Sequence, residues 1–192
     1  MNPRLSEFVL KGVFASYCVK DLRTSGLLRT PIYTESERNE HDLFVSIPEK
    51  IRSGSLQMQK YFRMLYVFEN LVREFIDTTF KDGGEGENWF DAKATTQMKK
   101  KVADRKASEE KNQWHVGRNQ HPLFYLDFSD LGLLIINNWP IFKDFFPDQA
   151  WVSSRIADSE RTRNVIAHTN DLPASEGARL EMHLRDWMNQ VG

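Results

Sequence analysis

Only one cysteine, Cys18, occurs in 192 residues, so the chain can form no internal disulfide and holds no Cys-x-x-Cys pair for a metal. That scarcity agrees with a reducing compartment, and a soluble cytoplasmic protein is expected. No apolar run approaches the roughly 18 residues that span a bilayer. The opening Met1-Asn2-Pro3-Arg4-Leu5-Ser6 lacks the layout of a signal peptide. Charge of one sign is missing too: 26 Lys+Arg against 27 Asp+Glu leave a net charge of −1. Bulk attraction to nucleic acid is thereby excluded, and any such binding must use a local patch. Apolar and polar residues nowhere alternate for more than a few positions, which speaks against strands, and no internal repeat is visible.

What the chain does contain is enough apolar material for a core, with 40% hydrophobic and 12% aromatic residues. Asn2 and Pro3 form a helix-start signal, and Leu5, Phe8, Val9, Val13 and Tyr17 follow at helical spacing, predicting a helix over about residues 4–22. A loop-like stretch from Ser25 to Glu40 comes next. Residues 1–46 therefore read as a helical extension, and residues 47–192 as the main domain.

Pro48 opens the longest helical pattern, running to about Phe80, with Met58, Phe62, Leu65, Phe68, Val72, Phe75, Ile76 and Phe80 on one side. Glu69 falls inside this stripe, and a carboxylate there must be paired. Arg73, one turn on, is one partner; a cation on a neighbouring helix is the other. Gly83-Gly84-Glu85-Gly86 reads as a turn, because no strand precedes it and the lysine and Ser/Thr of a phosphate loop are absent. Asn88 can cap a helix over about 89–111. From Lys93 to Lys111 seven Lys/Arg face three Asp/Glu. Lys99, Lys100, Lys101 and Arg105 of that surface, with Arg73, are candidate contacts to an RNA backbone, or else a solvated face.

The polar stretch from Ser108 to His121 reads as a long connection. His115 and His121 have no Cys, Asp or Glu at ligand spacing, so neither a metal nor a cofactor is expected. Asp127 or Ser129 caps a short apolar helix to about Asn138, and Trp139-Pro140 with Phe145-Phe146-Pro147 forms an aromatic connector. Asp148 caps the next helix, with Val152, Ile156 and Ala167 on its inner face, and Asp171 or Ser175 starts a last one carrying Leu180, Leu184, Trp187 and Val191. Six helical patterns without strands predict an all-α antiparallel bundle.

Chemistry concentrates in Arg163-Asn164-Val165-Ile166-Ala167-His168, late in the helix that Asp148 opens. Arg163 shares the direction of the inner face, Asn164 lies at its edge, and His168 is at the terminus. If the long helix packs alongside, Arg163, Asn164, His168 and Glu69 can meet. Imidazole can take a 2′-hydroxyl proton, and a guanidinium can stabilise the charge that develops on phosphorus, so such a group could cleave RNA without metal. The bland alternative is an ion-pair network of Arg163, Glu160 and Glu69, with His168 merely finishing a helix.

The hexamer resembles the Arg-polar-x(3–5)-His motif of the HEPN superfamily. The wider order resembles it as well: Ile47-Pro48-Glu49-Lys50-Ile51, Phe68-Glu69-Asn70-Leu71-Val72-Arg73, His121 to Leu131, Asn138-Trp139, then the hexamer. This order is similar to the HEPN branch found at the C-terminus of a yeast nuclear RNA-surveillance endoribonuclease, over residues 47–190. The resemblance implies a homodimer with both motifs facing one cleft, metal-independent cleavage, and a 2′,3′-cyclic phosphate product. It places Arg163 and His168 at the catalytic positions, Asn164 at the polar one and Glu69 at an acidic helix position. It also implies a toxin or phage-defence role with an antitoxin or other partner protein. In some members that partner modifies a tyrosine two places after the histidine, where this chain has Asn170. HEPN domains without nuclease activity, which bind a protein or RNA, are the alternative.

Overall fold

The computed structural model describes residues 43–111 and 117–192, with 14, 15, 17, 18, 21, 22 and 25. Most of the helix read over 4–22 and of the loop after it lies outside the described residues. The described positions 14, 15, 17, 18, 21 and 22 are helical. The chain divides into the compact units Met1–Glu49 and Lys50–Gly192.

From Glu49 onward the described residues form seven α-helices, and no strand occurs among the described residues, as the all-α expectation requires. They are α1 (Glu49–Phe80), α2 (Trp89–Lys93), α3 (Thr96–Glu110), α4 (Phe128–Asn137), α5 (Trp139–Phe142), α6 (Gln149–Ala167) and α7 (Ala174–Val191). The 32 residues of α1 make a rod of about 48 Å. It buries Tyr61, Leu65, Phe68, Val72, Ile76 and Phe80, three or four residues apart. Phe62, expected in that stripe, is 57% exposed. Tyr61 takes its place, because a one-residue step turns a side chain by about 100° away from the line of Leu65 and Phe68. A π-helical turn, Lys81–Glu85, closes α1, and Gly84 and Gly86 adopt φ of 82° and 75°, a left-handed conformation open to glycine at little cost.

The single helix expected over 89–111 is two. Ala94 takes an extended conformation, and the Thr95 hydroxyl accepts the Met98 N–H at 3.2 Å to cap a fresh start. A threonine that bonds its own backbone competes with helix continuation. Asp127 and Asp130 form a capping box on α4, with the Asp127 N–H donating to Asp130 Oδ2 at 2.9 Å. Asp148 caps α6, accepting the Trp151 N–H at 2.7 Å. Neither Asp171 nor Ser175 caps α7. Pro173 occupies that position, and its carbonyl accepts the Glu176 and Gly177 N–H groups at 3.0 and 3.1 Å.

The core forms where α1, α4, α6 and α7 converge. Phe128, Leu131, Leu134 and Ile135 of α4 are fully buried, as are Val152 and Trp187. On α6 the buried side is Val152, Ile156, Ser159 and Thr162. Ala167, expected inside, is exposed because the last turn of α6 has run past the core. Behind α1, Phe80 stacks on Trp89 at 4.2 Å between ring centres, and the Trp89 indole donates to Asp77 at 2.8 Å.

Helices α1 and α7 meet tightly at Gly177. A Cβ built on Gly177 would lie 2.1 Å from Tyr61 Cε1, and Tyr61 is itself buried. Gly177→Ala should therefore cost about 1–3 kcal/mol by overpacking. Gly54→Ala in α1, where the nearest atom would be 3.4 Å away, should gain roughly 0.5–1 kcal/mol from helix propensity. Urea unfolding of both variants checks this; equal effects would contradict the packing.

His183 is buried on the same helix, 3.4 Å from Asp158 Oδ2. Burial pushes its imidazole below 6.5, against the pull of Asp158. Its neutral form is the one that folds, so its contribution is present above about pH 6.5 and lost as pH falls below that value. His183→Leu should flatten the loss of melting temperature between about pH 7 and 5. An unchanged slope would remove this histidine from the acid sensitivity.

Candidate functional site

The long helix does pack beside α6, as the sequence suggested, and a groove of about 530 Å³ runs between them. Phe62, Tyr66, Glu69 and Arg73 line it from α1, Phe124 from the short turn before α4, and Arg163 with Ile166 from α6. Glu69, Arg73 and Arg163 thus share one groove. Their pairings differ from the sharper sequence reading. Glu69 forms an ion pair with Arg73 on its own helix, and both side chains are largely buried. Arg73 also donates to the Leu123 carbonyl at 3.3 Å and lies 4.9 Å over the Phe124 ring. It therefore fastens the Pro122–Tyr125 turn to α1.

Arg163 stands apart from that pair, with the charge of Glu160 acting on it from one turn away. It is half-buried, and its one hydrogen bond goes from Nη1 to Asn164 Oδ1 at 3.3 Å. Among the described residues it forms no ion pair. The network of Arg163, Glu160 and Glu69 weighed from the sequence is therefore not a set of direct bridges. Glu160 is half-buried one turn before Asn164, and its Oε2 accepts the Ser129 N–H at 3.2 Å, at the start of α4. Burial pushes the Glu160 carboxyl up, and the charges of Asp127 and Glu69 add to this, while Arg163 and the Ser129 N–H oppose it. Its spacing from Arg163 on one helix face is the sequence signal for it.

His168 stands outside the groove. It is the C-cap of α6, exposed, with its backbone N–H on the Asn164 carbonyl at 3.2 Å. Thr169 then turns the chain with φ of 55°. Thr169 and Ile166 line a neighbouring cavity of about 690 Å³ along the first turns of α1, with Lys50 and Gln59 across it. Within one protomer Arg163, Asn164 and Glu69 are brought together, and His168 is not.

The basic surface on α3 is partly consumed by the fold. Lys101 donates to Asp127 at 3.1 Å and to Asp130 at 2.6 Å. Arg105 reaches the Tyr125 carbonyl at 2.7 Å and both Asp127 oxygens at 2.9 and 3.0 Å. Burial pushes the Asp127 carboxyl up, but these two bases outweigh it and hold it below the ordinary carboxylate value. Lys99 donates to the Asp91 carbonyl at 2.5 Å, and Lys100 is left exposed without a bond among the described residues. The described residues also include no group of three His, Cys, Asp or Glu placed to hold a metal ion.

A family profile described as Swt1-like HEPN matches residues 63–192, well over half of the chain. The protein belongs to this HEPN family. No curated protein and no solved structure matches it significantly. The matched segment takes in both walls of the groove and the whole Arg-Asn hexamer. No helix among the described residues is long and apolar enough to cross a membrane.

Lys101→Met would leave Asp130, nearly buried, without its cation. A loss of about 1–3 kcal/mol in urea unfolding is expected, against less than about 0.5 kcal/mol for Lys100→Met on the same helix. Similar small losses for both would show that the α3 lysines are a solvated face after all.

Proposed function

We propose that this HEPN protein is a metal-independent endoribonuclease that works as a homodimer. One observation supports the reading most: Arg163 is a half-buried guanidinium without an ion pair among the described residues, in a groove and within the hexamer that resembles the HEPN Arg-polar-x(3–5)-His motif. A cation without an ion pair in a half-closed site is poised for a phosphate. The exposed Phe62 and Tyr66 at the groove mouth, 57% and 62% accessible, offer apolar area for a second copy. Such a dimer would bring one His168 from each copy to a shared cleft.

In that cleft one His168 takes the proton of a ribose 2′-hydroxyl, and the oxygen attacks the adjacent phosphorus. The bond to the 5′-oxygen breaks, and the other His168, protonated, gives that oxygen its proton. The products are a 2′,3′-cyclic phosphate and a 5′-hydroxyl. Arg163 stabilises the negative charge on the phosphoryl oxygens, Asn164 orients its guanidinium, and Glu69 holds the groove wall through Arg73. Of the basic candidates, Lys100, with Lys99 beside it, is free to meet RNA backbone; Lys101, Arg105 and Arg73 keep the fold's own pairs. A toxin or phage-defence role with a neutralising partner protein agrees with this chemistry. The second reading is a non-catalytic module that holds RNA or a protein in the same groove, favoured by the position of His168 outside it.

Purified protein should cut single-stranded RNA in EDTA and leave cyclic phosphate ends by mass spectrometry. His168→Ala and Arg163→Ala should each lower cleavage by about 10²-fold or more with the helical far-UV signal retained. Cleavage that survives either change, or that needs a metal, overturns the mechanism. RNA binding without cleavage establishes the module instead.

A further inference from the structure

A second surface on α1 lies apart from Arg163. A groove of about 680 Å³ opens between the C-terminal half of α1, the connector after α5 and the end of α7, and shares no lining residue with the Arg163 groove. Its floor is aromatic: Phe75 meets Trp187 edge to face at 5.8 Å and Phe145 at 5.2 Å. The Gln190 amide donates to the Phe145 carbonyl at 3.0 Å, which ties the connector to α7. The walls are therefore built before a ligand arrives, which lowers the ordering cost of binding. Leu71, Phe145 and Met188 leave apolar surface open to solvent there.

Charge is one-sided along the rim. Glu74, Thr78 and Asp82 line the groove at i, i+4 and i+8, one row of about 12 Å on α1 and the π-turn that continues it. Both carboxylates are exposed, and neither has an ion pair among the described residues. Other acids of this stretch are matched: Glu69 by Arg73 and Asp77 by Lys81. No Lys, Arg or His lines the groove. An apolar trough edged by two unmatched acids at a helical repeat complements a body that is apolar on one side and basic along one edge.

We propose that this groove docks an amphipathic α-helix of a partner protein, with apolar residues at i, i+4 and i+7 and a row of Lys or Arg beside them. A helix laid along α1 has the same rise per residue, so two cations two turns apart face Glu74 and Asp82 together. An acidic or neutral helix leaves the rim unmatched and gains only the apolar contact. This docking is independent of RNA cleavage and stands or falls separately from it.

The test uses the full chain and two synthetic helices of about five turns. Both carry the same leucine face, one with lysines and the other with glutamates along the edge. Binding is read by fluorescence anisotropy at low salt, with the Met188 methyl NMR signal as the local reporter. The wild type should bind the Leu/Lys helix about tenfold tighter than the Leu/Glu helix, with a shift at Met188. Glu74→Lys with Asp82→Lys, both at exposed positions, should reverse that order. A preference untouched by the charge swap, an unmoved Met188 signal, or no binding of either helix overturns the proposal.

Discussion

The indole of Trp187 packs against Phe68, Phe75, Phe146 and Trp151 with ring centres 5.2 to 6.1 Å apart. It can be buried only once α1, the connector after α5 and α6 have all converged on α7. Aromatic pairs of this kind contribute about 0.5–1.5 kcal/mol each beyond the area they bury. The Trp187 N–H finds no partner among the described residues, so apolar contact holds the residue in place against a polar penalty. Fixing α7 also fixes α6, through Trp151 against Trp187 and the Arg155 to Asp186 bond of 2.6 Å. The placement of Arg163 is in this sense a result of core packing.

Around that core the charges fall into pairs with different duties. Lys101 and Arg105 brace the start of α4, and Arg73 with Glu69 braces the turn before it. Arg163 has been left out of this bracing. A guanidinium whose neighbouring carboxylates are engaged elsewhere has charge to offer a ligand, whereas a bridged one must first give up its partner. The groove is thus neutral along one wall and cationic at one point.

The fold was legible because its helices announce themselves through spacing and caps. Pro48, Asp127 and Asp148 marked starts that the structure keeps, and Leu180, Leu184 and Trp187 marked the inner face of α7. The misreadings have local causes. Phe62 and Tyr61 are adjacent aromatics, and composition cannot say which faces inward; Tyr61 packs where Gly177 leaves room for it. The break at Ala94 depends on a threonine choosing its own backbone over the helix, a choice with weak sequence signal. In the site, the shared groove of Glu69 and Arg163 followed from two apolar stripes that must meet. Which arginine Glu69 would hold did not follow, since Arg73 at i+4 and Arg163 across the seam are both within reach of a flexible carboxylate. The use of Lys101 and Arg105 inside the fold was hidden because their acids lie more than twenty residues away in sequence.

The capping box at Asp127 and Asp130 has an effect on how this protein meets salt. Its cations are a quarter to a third exposed, so ionic strength weakens them in part. Phosphate contacts weaken with salt as well. If the groove takes a phosphate as proposed, two quantities decline along one titration: attraction to a polyanion, and the rigidity of the turn that carries Phe124 to the groove wall. Osmolytes such as sucrose favour burial without screening charge and would separate the two, because they firm the turn and leave the attraction as it was.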